Sequence, residues 1–324
     1  MQLKFLIILG LSLAAPLSGA CQNIVRISSR EGMSNSSILS VAQDADGYIW
    51  AGSCEGLNLW DGKQVRNYKL SGNLIHEIIP TRDGMFWVRT NYGFDLFDPR
   101  EKISERHARF NRPYTVTARS REEAFLVHEG RLYGYNPMAA EFEPVEMTGR
   151  EITLDRKTRL FIDRGSSLWI VRPEGLYRYE TKRSAEGRCS AHEAEFIPVH
   201  KGITFSRGLG ESICFLDRNR VLYRFDPETG SLSVLFDLKG FEGFNNDGLT
   251  AIERDGNDWL LAFRNGLWRL SPRGPAGGGG YESHRIPVNG SIFSLLKDRN
   301  QDIVWIGTDG NGLLRQYNEG VRIN

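Results

Sequence analysis

The chain has almost no excess charge: 41 Lys and Arg against 40 Asp and Glu give a formal net charge of +1 over 324 residues. Lys4 sits in the N-terminal leader, so the remainder carries 1 − 1 = 0. Such a balance excludes a general nucleic-acid binder, which needs a cationic footprint. Cysteine is also scarce: Cys21, Cys54, Cys189 and Cys214. Their spacing resembles no metal knuckle and no disulfide framework. Cys54 and Cys214 fall in distant repeats and Cys189 in an irregular charged stretch, so isolated thiols are expected. The six histidines, His76, His107, His128, His192, His200 and His284, show no metal-ligand spacing. No metal and no cofactor is therefore expected. After residue 20 there is no long apolar run, which excludes a membrane-spanning helix there, and no sustained helical period. No Gly-x-Ser-x-Gly elbow appears, and the glycine run in Arg273–Gly280 lacks the Lys-Ser/Thr of a phosphate loop.

What is present is a repeat. Aromatic residues in short apolar strands recur at Trp50, Trp87, Phe125, Trp169, Phe215, Trp259 and Trp305, spaced 37, 38, 44, 46, 44 and 46 residues apart. A period near 40 with strand-rich units marks propeller blades. The expected fold is all-β: a single seven-bladed β-propeller of four-stranded antiparallel blades over residues 21–324. The first unit reads as strands over Ser37–Gln43, Tyr48–Gly52, Leu57–Trp60 and Val65–Leu70. Asp44-Ala45-Asp46-Gly47 is its first turn, with Asp taking backbone amides and Gly the positive φ. Blades pack face to face, and the wide outer gap calls for large flat side chains, so the tryptophans are expected to be core. Ile24–Ser28 is expected to close the ring as the outer strand of the seventh blade, beside Leu313–Tyr317; Val321–Asn324 competes for that place. Thr181–Ala194 is expected to extend the outer hairpin of the fourth unit and Arg273–Gly280 that of the sixth, both as mobile rim loops.

Residues 1–20 read as a secretory signal. Lys4 precedes a short apolar run from Phe5 to Leu13, and Ser18-Gly19-Ala20 offers a cleavage site before Cys21. Cys21 is also a candidate for lipidation, as in lipoprotein signals. The expected location is the periplasm or cell envelope, with Cys21 as the optional lipid anchor.

Gly32 to Tyr68, and again Ile292 to Asn318, resemble the two-component regulator propeller repeat. The middle units are more divergent, and the third and fifth lack Trp. The resemblance implies the periplasmic input side of a hybrid two-component system, in bacteria that degrade complex carbohydrates. Such sensors usually carry two rings, an immunoglobulin-like domain, a membrane span and a histidine kinase. The present sequence contains no kinase ATP motif and no phospho-acceptor histidine motif, so no catalytic residue is assigned. The partners implied are an oligosaccharide or other small ligand, a membrane sensor kinase or further domains of a longer sensor, and a second copy of the chain. Two other readings stand beside it: a protein-interaction scaffold, and a sialidase- or lyase-like carbohydrate-active enzyme. His284-Arg285-Ile286-Pro287 resembles a sialidase element, but lies in an outer strand.

In a four-stranded blade, the loops joining strands two to three and four to one share one face of the ring. That face is expected to present Glu55, Tyr92, Arg112, Arg172, Phe244, Asn246, Arg264, Asp309 and Asn311. Aromatic rings there can stack on sugar rings while amides and arginines bind hydroxyls or acidic groups.

Overall fold

Seven sheets, antiparallel but for one added strand, follow one another along the chain, in a computed structural model that describes residues 24–107, 110, 115–244, 248–264, 266–273 and 280–317. Their inner strands are Ile38–Gln43, Ile75–Pro80, Thr115–Ala118, Arg159–Ile162, Ile203–Leu209, Leu249–Asp255 and Ile292–Lys297, blades 1 to 7 in order. Six sheets have four strands and the fourth has five. The expected seven-bladed ring is thus observed, and the first unit's strands lie within two residues of their expected bounds.

The ring closes by strand exchange as expected. Ile24–Ile27 pairs antiparallel with Leu313–Tyr317, with Ile27 opposite Leu313 and Ile24 opposite Gln316. The competing segment Val321–Asn324 lies outside the described residues, as do the leader, Cys21 and most of the glycine-rich stretch. The seam between blades 7 and 1 is also sewn by side chains. Gln43 Nε2 donates to Asp298 Oδ1 at 3.1 Å, and the Arg299 guanidinium donates to the carbonyls of Gln43 and Asp44.

Each buried tryptophan of blades 1, 4 and 7 does more than fill space. Trp50 Nε1 donates to Asp44 Oδ2 at 2.7 Å, Trp169 to Asp163 at 2.8 Å and Trp305 to Asp298 at 2.9 Å. The other carboxylate oxygen caps the turn; Asp44 Oδ1 accepts from the amides of Asp46 and Tyr48. One aspartate therefore fixes both the hairpin turn and the rotamer of the aromatic anchor. In blade 2, Thr81 holds that turn place, and Trp87 Nε1 donates instead to the carbonyl of Ser120.

The anchor register needs correction in two blades. Trp50, Trp87, Phe125, Trp169 and Trp305 pack against the following blade. Phe215 instead faces back onto Trp169 and blade 4, and Trp259 faces back onto Phe236 of blade 5. The places facing forward belong to Cys214 and Leu260. Side chains alternate across a strand, so a shift of one residue moves an aromatic ring to the opposite sheet face.

The charged stretch of blade 4 extends the outer hairpin, as expected, but as paired strands and not as a loop. Gly175–Arg183 and Cys189–Pro198 form a long antiparallel hairpin with a bulge at Arg178/Tyr179. Glu146–Thr148 adds a fifth strand parallel to it. Arg183 reaches across to the carbonyls of Tyr135 and Glu122 in blade 3. Cys189 and Ala191 are buried against that blade. The apolar contacts hidden among charged residues explain why the segment read as a mobile loop.

Close approach of inner strands depends on glycine at two places. A Cβ on Gly52 would strike Ile75, and one on Gly307 would strike Ile38 and Ser294. The equivalent place in blade 2 is Arg89, paired across the sheet with Glu77. That substitution puts charge beside the central axis.

Candidate functional site

The two mouths of the channel differ. At the end formed by the turns between first and second strands, Arg82 of blade 2 bridges to Glu211 of blade 5 at 2.9 Å. Arg164 adds a weaker link to Glu211 at 3.9 Å. An ion pair between blades three places apart crosses the axis and straps that mouth. The opposite mouth is framed by the loops that the sequence pattern assigned to recognition.

The expected recognition residues divide into three groups. Tyr92 is 54% exposed, and Glu55 and Arg264 are also exposed, so these three remain available to a ligand. Asp309 and Asn311 are engaged in ring closure. Asp309 Oδ1 accepts from Ser37 Oγ at 2.8 Å; Asn311 Oδ1 accepts from Arg26 Nη1 at 3.0 Å and its Nδ2 donates to the carbonyl of Asn289 at 2.9 Å. Two residues are corrected outright. Arg172 is buried, held by Asp155, by Glu174 at 3.4 Å and by Thr158 Oγ1 at 3.2 Å, so it is an internal clamp of blade 4. Phe244 is 8% exposed and packs edge-on against Phe263 and Phe241, with Arg220 over its ring. It offers no face for stacking a sugar. Arg112 and Asn246 lie outside the described residues.

Sequence reading missed the wall of the channel itself. His76 lies within electrostatic reach of Arg89 and Glu77 in blade 2, and Arg159 of blade 4 within reach of Glu77, Arg89 and Asp155. Arg89 Nε donates to Glu77 Oε2 at 3.3 Å. Arg159 is accessible to solvent yet walled by protein, and this partial burial lowers its pKa, with Glu77 opposing the shift. Burial, followed by the charge of Arg89, also lowers the pKa of His76. The imidazole is therefore neutral at physiological pH. On the inner strands of blades 5 and 6, Arg207 lies within electrostatic range of Glu253, whose carboxyl is pushed up by burial. The signal available in sequence was the break in apolar pattern at Glu77, Arg159, Arg207 and Glu253, each in a short inner strand. Among the described residues no group of three or more His, Cys, Asp or Glu is arranged to hold a metal ion.

Comparison with known proteins places this ring. Residues 32–55 match the two component regulator propeller family. The extracellular domain of a putative hybrid two component system from B. thetaiotaomicron is similar at 18% identity and a TM-score of 0.67; the likeness covers 93% of this chain and 40% of that one. A second such domain from the same organism is 17% identical with a TM-score of 0.63, covering 91% and 42%. A catalytically inactive virginiamycin B lyase from Staphylococcus aureus is 12% identical with a TM-score of 0.63, covering 91% and 99%. The chain thus spans about 40% of the length of the first of these extracellular domains. At these identities the likeness establishes the fold. No curated protein matches the sequence.

Proposed function

We propose that this ring is an extracytoplasmic ligand-binding propeller, the input module of a two-component signalling system, and that its ligand is a carbohydrate. The observation that carries the reading is the repeat at residues 32–55, together with the full-ring likeness to extracellular domains of hybrid two-component systems. The N-terminal leader supports export through a cleaved signal, with Cys21 as a candidate lipid anchor. A ring outside the cytoplasm cannot phosphorylate a regulator, so the signal passes through a membrane sensor kinase, in the same polypeptide or as a docked partner.

The unstrapped mouth is the recognition face. Its free residues suit a saccharide: Tyr92 offers an exposed ring to stack, and Glu55 and Arg264 offer polar groups for hydroxyls. Tyr92→Ala combined with Arg264→Ala is expected to weaken oligosaccharide binding at least tenfold by calorimetry, while thermal melts stay unchanged. The recognition face would be wrong if a bound oligosaccharide were held as tightly by the double variant. Carbohydrate sensing itself would fall if no oligosaccharide bound the wild-type ring at millimolar concentration.

A further inference from the structure

We propose that the outer strand of blade 5, Ser231–Asp237, is the docking edge for a second copy of this chain, which adds its own Ser231–Asp237 antiparallel to make a two-fold dimer. Among the described residues this strand is the free edge of its sheet. A free edge presents unpaired N–H and C=O groups to any extended strand, and folded proteins guard such edges with charge, proline or a covering element. The other outer strands of the ring are guarded. Arg66 stands on that of blade 1, Glu105 on blade 2, Glu143 on blade 3, Glu282 on blade 6 and Arg26 on the strand that completes blade 7. In blade 4 the outer strand is itself augmented, by Glu146–Thr148 lying parallel to it, so a blade edge of this protein does accept an added strand. Blade 5 has neither device: from Ser231 to Phe236 there is no charged residue and no proline.

The exposed edge is also apolar on one face. Leu232 is 49% exposed and Val234 41%. They stand opposite Phe225 and Tyr223, so they share a face and carry its apolar stripe out to solvent. The register shifts at Leu222/Tyr223, where Leu235 bulges and the flat run ends. The sequence of the strand identifies its occupant. Antiparallel pairing about Ser233 sets Leu232 of each copy against Val234 of the other, and Ser233 against itself. All four apolar side chains then fall on one face, and no like charges meet. The flanks are complementary as well. The same register brings Glu228, just before the strand, toward Lys239, just after it, in the second copy. Both side chains are exposed, and their ion pairs within the chain are long, 3.8 Å from Glu228 to Arg164 and 3.6 Å from Lys239 to Asp237. A net charge near zero adds no general repulsion between copies.

This edge lies on the rim, so dimerisation is read separately from ligand binding at the mouth. Sedimentation of the purified ring over rising micromolar concentrations tests it. The wild-type ring is expected to pass from monomer to dimer. Val234→Lys places a charge on the edge and is expected to weaken the dimer at least tenfold, with an unchanged melt because the side chain is exposed. Hydrogen exchange of the wild-type protein serves even if the variant unfolds: the amides of residues 231–234 are expected to gain protection as concentration rises. The dimer is overturned if the ring stays monomeric at high micromolar concentration, or if Val234→Lys associates as tightly as wild type. It is overturned equally if those amides exchange at one rate at every concentration. A monomeric ring that gains protection there only from an added extended peptide of other sequence would assign the edge to a different partner and remove the second copy.

Discussion

At the scale of single residues, the ring is held by polar groups that service the aromatic anchors. Trp50 is fully buried, and its indole N–H is matched to Asp44 Oδ2. Trp50→Phe keeps most of the apolar bulk but leaves that carboxylate oxygen without its donor. The expected loss is about 2–3 kcal/mol in urea unfolding, the cost of an unsatisfied buried acceptor plus a small cavity. Asp95 shows the opposite case. Its place in blade 2 is that of Asn58 in blade 1: Asn58 Oδ1 accepts from the Ser34 amide and its Nδ2 donates to the Ala51 carbonyl, whereas Asp95 Oδ2 accepts from the Ser71 amide and its Oδ1 has no partner among the described residues. Burial pushes the Asp95 carboxyl up, against the lowering effect of its bond from Ser71. Its folded pKa lies above the unfolded value, so the folded state gains from protonation. Stability from this group is present at low pH and is lost as pH rises through the folded pKa. Asp95→Asn is expected to stabilise the ring by about 1 kcal/mol at pH 7. The gain should shrink as pH falls toward 4, in melts across that range. An equal gain at every pH would show that the carboxyl does not titrate there.

At the scale of elements, blade order and ring closure were legible because they rest on local pattern. A Trp six residues after Asp44 or Asp163, with an Asp-started turn between, leaves little choice of strand register. The closing strand was legible for the same reason: Ile24–Ile27 precedes the first inner strand as outer strands do elsewhere. Its removal is expected to expose the edge of Leu313–Tyr317 and to uncover the pocket of Ile27, which is 2% exposed. Deleting residues 24–27 should lower the melting temperature by on the order of 10 °C. An unchanged melt would mean that the ring closes by other means. In blades 5 and 6 the aromatic spacing is off by one residue, because the forward-facing places hold Cys214 and Leu260 and the adjacent Phe215 and Trp259 face back. Burial pushes the Cys214 thiol up to about 12, which fits an apolar filler in that place. The hairpin extension of the fourth blade was legible, but its strand character was not, because its buried face is carried by Cys189 and Ala191, two small residues between charges.

At the scale of the whole molecule, the candidate site was legible only in outline. The choice of mouth followed from strand connectivity, but which of its residues remain free did not. Arg172 and Phe244 look like ligand contacts in sequence and are internal supports. Arg89 and Arg159 stand far apart in sequence and lie within electrostatic reach of one another. Long-range pairing decides between those roles, and only the closed ring brings blades 2 and 4 to one axis. The claim that joins these levels is that the ring binds its ligand without transforming it. It is tested most directly by melting the purified ring with a panel of neutral and acidic oligosaccharides, then analysing the same samples by chromatography. A ligand at about 100 times its dissociation constant adds about 2.7 kcal/mol to the folded state, a rise of several degrees for a domain of this size. The expected result is such a rise for at least one saccharide that is recovered chemically unchanged. A saccharide cleaved by the ring, or a panel in which none raises the melting temperature, would contradict it.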